Sequence, residues 1–153
     1  MLFALLVACS PFEGSWYLVP DLASQDVAGD CADDYELDGN AGLVIDIYRL
    51  GNGQVAVMLG QALIGVPAGN ELEASYEESL DGKVDGTHVS IEDSARFEAV
   101  VSGDVMEGLI EEDYVEEIGG EDYDCFSETP FTAYRILSGR DSYVKETAVE
   151  SSE

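Results

Sequence analysis

Basic side chains are scarce in this sequence. Six Lys and Arg stand against 33 Asp and Glu, a formal net charge of −27, and no basic residue precedes Arg49. Such a chain repels nucleic-acid phosphates, which excludes a nucleic-acid partner, and its side chains are disfavoured on an anionic leaflet. Histidine occurs once, as His88, and cysteine three times, as Cys9, Cys31 and Cys125, with no C-x-x-C pair. That leaves little for a zinc centre, and no metal site is expected. The sequence also lacks a G-x-S-x-G elbow, a G-x-x-x-x-G-K-[ST] loop and a G-x-G-x-x-G fingerprint. These absences remove the nucleophile-elbow, phosphate-loop and dinucleotide readings, so no cofactor and no catalytic residue is expected.

The 153 residues suit one domain. With 46% hydrophobic residues and a mean hydropathy of −0.02, the chain can bury a core despite its charge. It opens on an uncharged apolar run, Met1-Leu2-Phe3-Ala4-Leu5-Leu6-Val7-Ala8, that ends at Cys9. A helix that short rises only about 12 Å and does not cross a bilayer core of ~30 Å. Its length is that of a signal-peptide apolar region followed by small residues. Leu6-Val7-Ala8-Cys9 resembles the lipobox of bacterial lipoproteins. The resemblance implies cleavage of residues 1–8, a lipid on Cys9, a tether over 9–13 and attachment to the membrane through that lipid. Ser10 after the cysteine, in place of Asp, implies outer-membrane sorting within the cell envelope.

With Cys9 spent on lipid, Cys31 and Cys125 remain as an even pair in an oxidising export compartment. A Cys31–Cys125 bridge is the expectation, and two free thiols are the alternative.

From residue 12 onwards the hydrophobic period is two. Strands are predicted over 14–19, 42–50, 54–60, 71–80, 87–92, 95–102, 105–114 and 131–137. Asn52-Gly53 marks a hairpin, and Asp81-Gly82 with Asp85-Gly86 brackets a turn. Residues 20–41, 61–70 and the acidic stretch around Gly119-Gly120 and Cys125 read as loops, and 139–153 as a polar tail. Phe97, Met58 and Tyr76 are taken as large inward residues. Eight antiparallel strands close into an all-β up-and-down barrel over residues 14–138, and a β-sandwich fits the same count.

Gly14-Ser15-Trp16 resembles the G-x-W of lipocalin-like (calycin) barrels. The resemblance implies that Trp16 packs at the closed end against Arg135, whose guanidinium stacks on an indole face while donating to backbone carbonyls. It also implies a small apolar ligand as partner. The alternative is a filled barrel whose acidic loops meet a basic partner or a cation. Glu111-Glu112-Asp113, Glu116-Glu117, Glu121-Asp122 and Asp124 form the densest acidic cluster. Asp34-Tyr35-Glu36-Leu37-Asp38-Gly39 echoes the start of a calcium loop but has Ile45 at its twelfth position, where a bidentate Glu is needed. Both read as solvated acidic loops. His88 shares a strand face with Ser90 and Glu92, opposite Val89 and Ile91, and is expected in solvent.

Overall fold

Alternating inward and outward residues build this molecule almost entirely from strands. The computed structural model describes residues 10–33 and 42–136. The leader at 1–8, Cys9, the Asp34–Gly39 segment and the tail at 139–153 lie outside the described residues. The strands are β1 (Gly14–Pro20), β2 (Asp26–Gly29), β3 (Leu43–Arg49), β4 (Val55–Leu59), β5 (Gln61–Ala68), β6 (Glu71–Val84), β7 (Thr87–Ser102), β8 (Val105–Ile118) and β9 (Glu121–Arg135). Short 3-10 turns occupy Leu22–Ser24, Asp30–Asp33 and Gly51–Gly53.

Every pairing is antiparallel, and β1 pairs with both β3 and β9. The sheet therefore closes on itself as an eight-stranded up-and-down barrel, which removes the sandwich alternative. β2 is an extra strand that continues β1 along β9. β1 matches Trp16 to Arg135 through Pro20 to Phe131, and β2 matches Asp26 to Glu128 through Gly29 to Cys125. Pro20 has no N–H to give the ladder. The detour over 21–25 is tied down instead by Asp21 N donating to the Pro130 carbonyl (2.7 Å) and Gln25 Nε2 donating to Thr129 Oγ1 (2.9 Å).

The sequence reading needs correcting in six places. Residues 61–70 are not a loop, because 61–68 form β5: Leu63 and Gly65 point inward, and Gly65 lies so close to β6 that an added Cβ would meet the Glu73 carbonyl at 2.1 Å. A glycine demanded by close approach resembles a glycine demanded by a turn. Residues 87–92 and 95–102 are one strand, uninterrupted through Asp93-Ser94. Asp81-Gly82 is no turn, since β6 runs on to Val84 and turns at Asp85-Gly86, both left-handed (φ 50° and 85°) as a two-residue hairpin requires. The acidic stretch 121–130 is the first part of β9, and 20–41 contains β2. Finally, Met58 lies opposite Asp46 on the outer face, 40% exposed, while its neighbour Val57 is buried.

The barrel interior is filled. Trp16, Leu18, Ile45, Val57, Leu63, Phe97 and Met106 are fully enclosed, and the Phe97 and Phe131 rings stack with centroids 5.0 Å apart. Each such side chain contributes about 1.5–3 kcal/mol by leaving water. Gly108 makes room for this packing, since a Cβ there would lie 2.7 Å from Phe131 Cζ.

One end of the barrel is closed by the chain before β1. Phe12 is buried in the core, and Trp16 Nε1 donates to its carbonyl at 2.8 Å. Arg135 lies over the Trp16 ring, Cζ 4.2 Å from the centroid, and donates through Nη1 to the Glu13 carbonyl (2.7 Å) and through Nη2 to the Pro11 carbonyl. Residues 10–13, expected as a tether, are thus stitched into the barrel floor.

Candidate functional site

The strands are of two lengths. β1, β3, β4 and β5 have 7, 7, 5 and 8 residues, whereas β6 to β9 have 14, 16, 14 and 15. Pairing of β5 with β6 begins at Ser75, so β6 runs nine further residues, 76–84, without a β5 partner. At ~3.3 Å per residue, the four long strands project roughly 30 Å beyond the barrel mouth as an open sheet.

This extension concentrates the charge. Fifteen of the 33 acidic residues fall within 75–96 and 111–128, against Lys83 and Arg96 as basic residues there. In the ladder, Glu73 faces Glu98, Glu78 faces Asp93, Glu111 faces Glu128 and Glu117 faces Asp122. Like charges directly opposite each other oppose pairing by a few tenths to ~1 kcal/mol each. Part of this is offset by Arg96, whose guanidinium meets Glu73 (3.1 Å), Glu98 and Glu111 (3.4 Å) around one centre. All four groups are at least partly open to solvent, so these ion pairs contribute little individually.

The inner face of the extension alternates tyrosine and carboxylate. Tyr76 donates its hydroxyl to Glu78, and Tyr114 to Glu116, each partner being two residues on and hence on the same face. The hydrogen bond to that carboxylate is the main reason both phenols are pushed up to about 12, with desolvation adding to it. They therefore remain protonated donors at any physiological pH. The Tyr123 ring meets Tyr114 edge-on, with centroids 6.1 Å apart. A spacing signal was present in the sequence: Tyr-x-Glu occurs at 76–78 and at 114–116, and in a strand that spacing makes a same-face pair.

Where the extension meets the barrel mouth, a cavity of about 210 Å³ is lined by Leu59, Gln61, Asp93, Ala95, Glu112, Tyr114 and Ser127. Gln61 Nε2 donates to Asp93 Oδ2 (2.9 Å), and the buried Ser127 donates through Oγ to Glu112 Oε2 (3.3 Å). On the outer face, a groove of about 560 Å³ runs between Ser75, Glu77, Glu92, Ser94, Arg96 and Asp113. Both spaces mix carboxylates with apolar walls, Leu59 and Ala95 in the cavity and Val115 and Phe126 in the groove. Among the described residues no group of three or more His, Cys, Asp or Glu side chains is arranged to hold a metal ion. The acidic cluster over 111–124 is thus two paired strands with the turn between them, and its carboxylates alternate between the two faces of the sheet.

Cys31 and Cys125 are joined as a disulfide. His88 points outward with its side chain 43% exposed, Nε2 3.6 Å from Asp81 and Nδ1 3.8 Å from Glu117. Trp16 and Arg135 come together at the closed end, at the opposite pole from the tyrosine–carboxylate face. No helix among the described residues is long and apolar enough to cross a membrane. Comparison of the chain with family models, curated proteins and solved structures finds no match, so the functional reading rests on these residues alone.

The opposed carboxylates make folding salt-dependent. Raising NaCl from 10 mM to 1 M shortens the Debye length from ~30 Å to ~3 Å and screens their repulsion. Melting temperature is expected to rise by about 5 °C or more across that range in differential scanning fluorimetry. A flat or falling curve would show that the charge pairs do not matter to stability.

Proposed function

We propose that this chain is a lipid-anchored bacterial envelope protein, probed at its acidic end by a cationic protein partner and without catalytic activity of its own. Cys9 carries the lipid, and sorting to the outer membrane follows from Ser10. The filled barrel acts as a pedestal for the projecting sheet. The observation that carries this reading is the division of the molecule. The space a small apolar ligand needs is taken by Trp16, Leu18, Phe97 and Phe131. The open spaces at the barrel mouth and along the extension include carboxylates, serines and tyrosines in their linings.

That lining suits lysine or arginine side chains. Carboxylates supply the charge-assisted hydrogen bonds, and the tyrosine rings supply faces on which a guanidinium or ammonium group stacks. A cationic partner also relieves the repulsion between Glu78 and Asp93 or Glu117 and Asp122, so binding recovers free energy that the free sheet forgoes. Electrostatic steering into a strongly acidic face accelerates association as well.

The test is titration of the purified protein with octa-arginine peptide, followed by calorimetry at 50 and 300 mM NaCl. Glu78→Gln with Asp93→Asn and Glu116→Gln is expected to weaken binding at least tenfold. Neutralising Glu71, Asp104 and Glu107, which lie nearer the closed end, should change it less than twofold. Equal losses in the two triple variants would reduce the interaction to net charge and remove the site. An apolar molecule retained in native mass spectrometry would favour the ligand-binding alternative instead.

A further inference from the structure

We infer that the closed end of the barrel is the face that rests on the membrane, with a rim of exposed apolar side chains at the level of the lipid headgroups. This rests on the lipid-anchor reading of Cys9. Three independent features of the fold converge on it.

The first is the lack of slack between anchor and barrel. Cys9 is followed at once by Ser10, and the next residues are fixed in place: Phe12 is buried, and the Pro11 and Glu13 carbonyls are held by Arg135. One residue of backbone spans at most ~3.6 Å, so a lipid on Cys9 brings the closed end to the bilayer surface with little freedom to tumble.

The second is a rim of exposed apolar residues around that end. Tyr48, Leu50, Val66, Val100, Val105 and Tyr134 are all exposed, between 36% and 59%. Each lies within two residues of a strand end on the closed side: Tyr48 and Leu50 flank Arg49, Val66 is close to Ala68, Val100 to Ser102, Val105 begins β8 and Tyr134 precedes Arg135. They belong to five different strands or their ends, β3, β5, β7, β8 and β9, so they are spread around the barrel, with Glu71 and Glu107 flanking Val100 in the ladder. Tyrosine at the edge of such a belt suits the interface, where its ring meets lipid and its hydroxyl meets water.

The third is charge. At the closed end, Glu13 is paired with Arg49 at 2.5 Å and Asp104 with Arg135 at 3.3 Å. Glu71 and Glu107 stay exposed at this end, but the densest carboxylates, fifteen of the 33 acidic residues, sit on the extension at the other pole. Turning the closed end toward lipid therefore moves the densest part of the repulsive charge away from anionic headgroups, well beyond a Debye length at physiological salt. The tyrosine–carboxylate face then points away from the membrane, where a partner can reach it.

The experiment uses the lipidated full-length protein in phosphatidylcholine vesicles, with an environment-sensitive fluorophore on Asn70→Cys in the β5–β6 turn or on Lys83→Cys near the far end of β6. Intact mass reports the acyl group separately. The expected result is an acyl mass, a blue-shifted and brightened label at position 70 and an unchanged label at position 83. Val100→Glu with Tyr134→Glu, both at exposed positions, should cut the shift at position 70 by at least half with the acyl mass retained. An acyl mass with the label at 83 shifted, or with neither label shifted, overturns the orientation and leaves the anchor standing. A mass without acyl chains overturns the anchor and the orientation together.

Discussion

Reduction of the Cys31–Cys125 bridge lowers the melting temperature by roughly 10–15 °C. The two cysteines are 94 residues apart in sequence. On the loop-entropy model, opening a loop of that size returns about 4–5 kcal/mol of conformational freedom to the unfolded chain. In a protein of this size each kcal/mol corresponds to about 2–4 °C. The structure also says where the loss appears first. Cys31 lies two residues past the end of β2, and Cys125 sits on β9 opposite Gly29, the last residue of β2. β2 has only four ladder pairs, all with β9, and its far end is held by the bridge. Amide exchange is therefore expected to accelerate at 26–29 on reduction, before the barrel strands lose protection. Scanning calorimetry with and without dithiothreitol, and on Cys31→Ser with Cys125→Ser, checks the first point. An unchanged melting temperature would mean that the bridge constrains nothing the fold does not already hold. A large loss would mean that the protein depends on an oxidising compartment, which accords with export.

What could be read beforehand divides along the same line as the molecule. In the closed half, one face of each strand is largely dry, so Ile45-x-Ile47 and Phe97-x-Ala99-x-Val101 announce themselves by period two. In the extension both faces are wet, and the signal disappears. Asp93 breaks the inward series Val89, Ile91, Ala95 because its side chain reaches the mouth cavity and accepts from Gln61. The result looks like a gap between two strands. Glu121 to Glu128 has carboxylates on both faces and looks like a loop, although it pairs residue for residue with Glu111 to Ile118. The barrel count of eight is correct for compensating reasons: the strand over 61–68 is missed and the strand over 87–102 is split.

The tyrosine–carboxylate face was hidden by the same effect. Abundant carboxylates make any one pair uninformative by chance. What singles out Tyr76 with Glu78 and Tyr114 with Glu116 is a shared strand face, and that becomes visible only once both segments are known to be strands. The closed end was more accessible, since Gly14-Ser15-Trp16 and Arg135 resemble a known pairing. The rim of exposed Val and Tyr around it was not, because an outward apolar residue at a strand end is unremarkable until the ends are seen to lie together.

Trp16→Ala is expected to destabilise the protein by about 4–5 kcal/mol, close to unfolding it at 37 °C given typical stabilities of ~5–15 kcal/mol. The indole is fully enclosed, its Nε1 donates to the Phe12 carbonyl at 2.8 Å, and its face carries the Arg135 guanidinium. Truncation removes the largest side chain of the floor, leaves that carbonyl without its donor and takes away the surface on which Arg135 rests. Arg135→Lys tests the last contribution separately. An ammonium group cannot span the Pro11 and Glu13 carbonyls with a planar fork while stacking on the ring, so a loss of ~1–2 kcal/mol is expected even with the charge kept. In a double-mutant cycle read by urea denaturation, Trp16→Phe and Arg135→Lys should couple by at least ~0.5 kcal/mol, since residues in contact are not additive. Additive losses would mean that the stacking is incidental. Coupling would show that one contact both closes the barrel and fixes the Pro11–Glu13 segment across its floor.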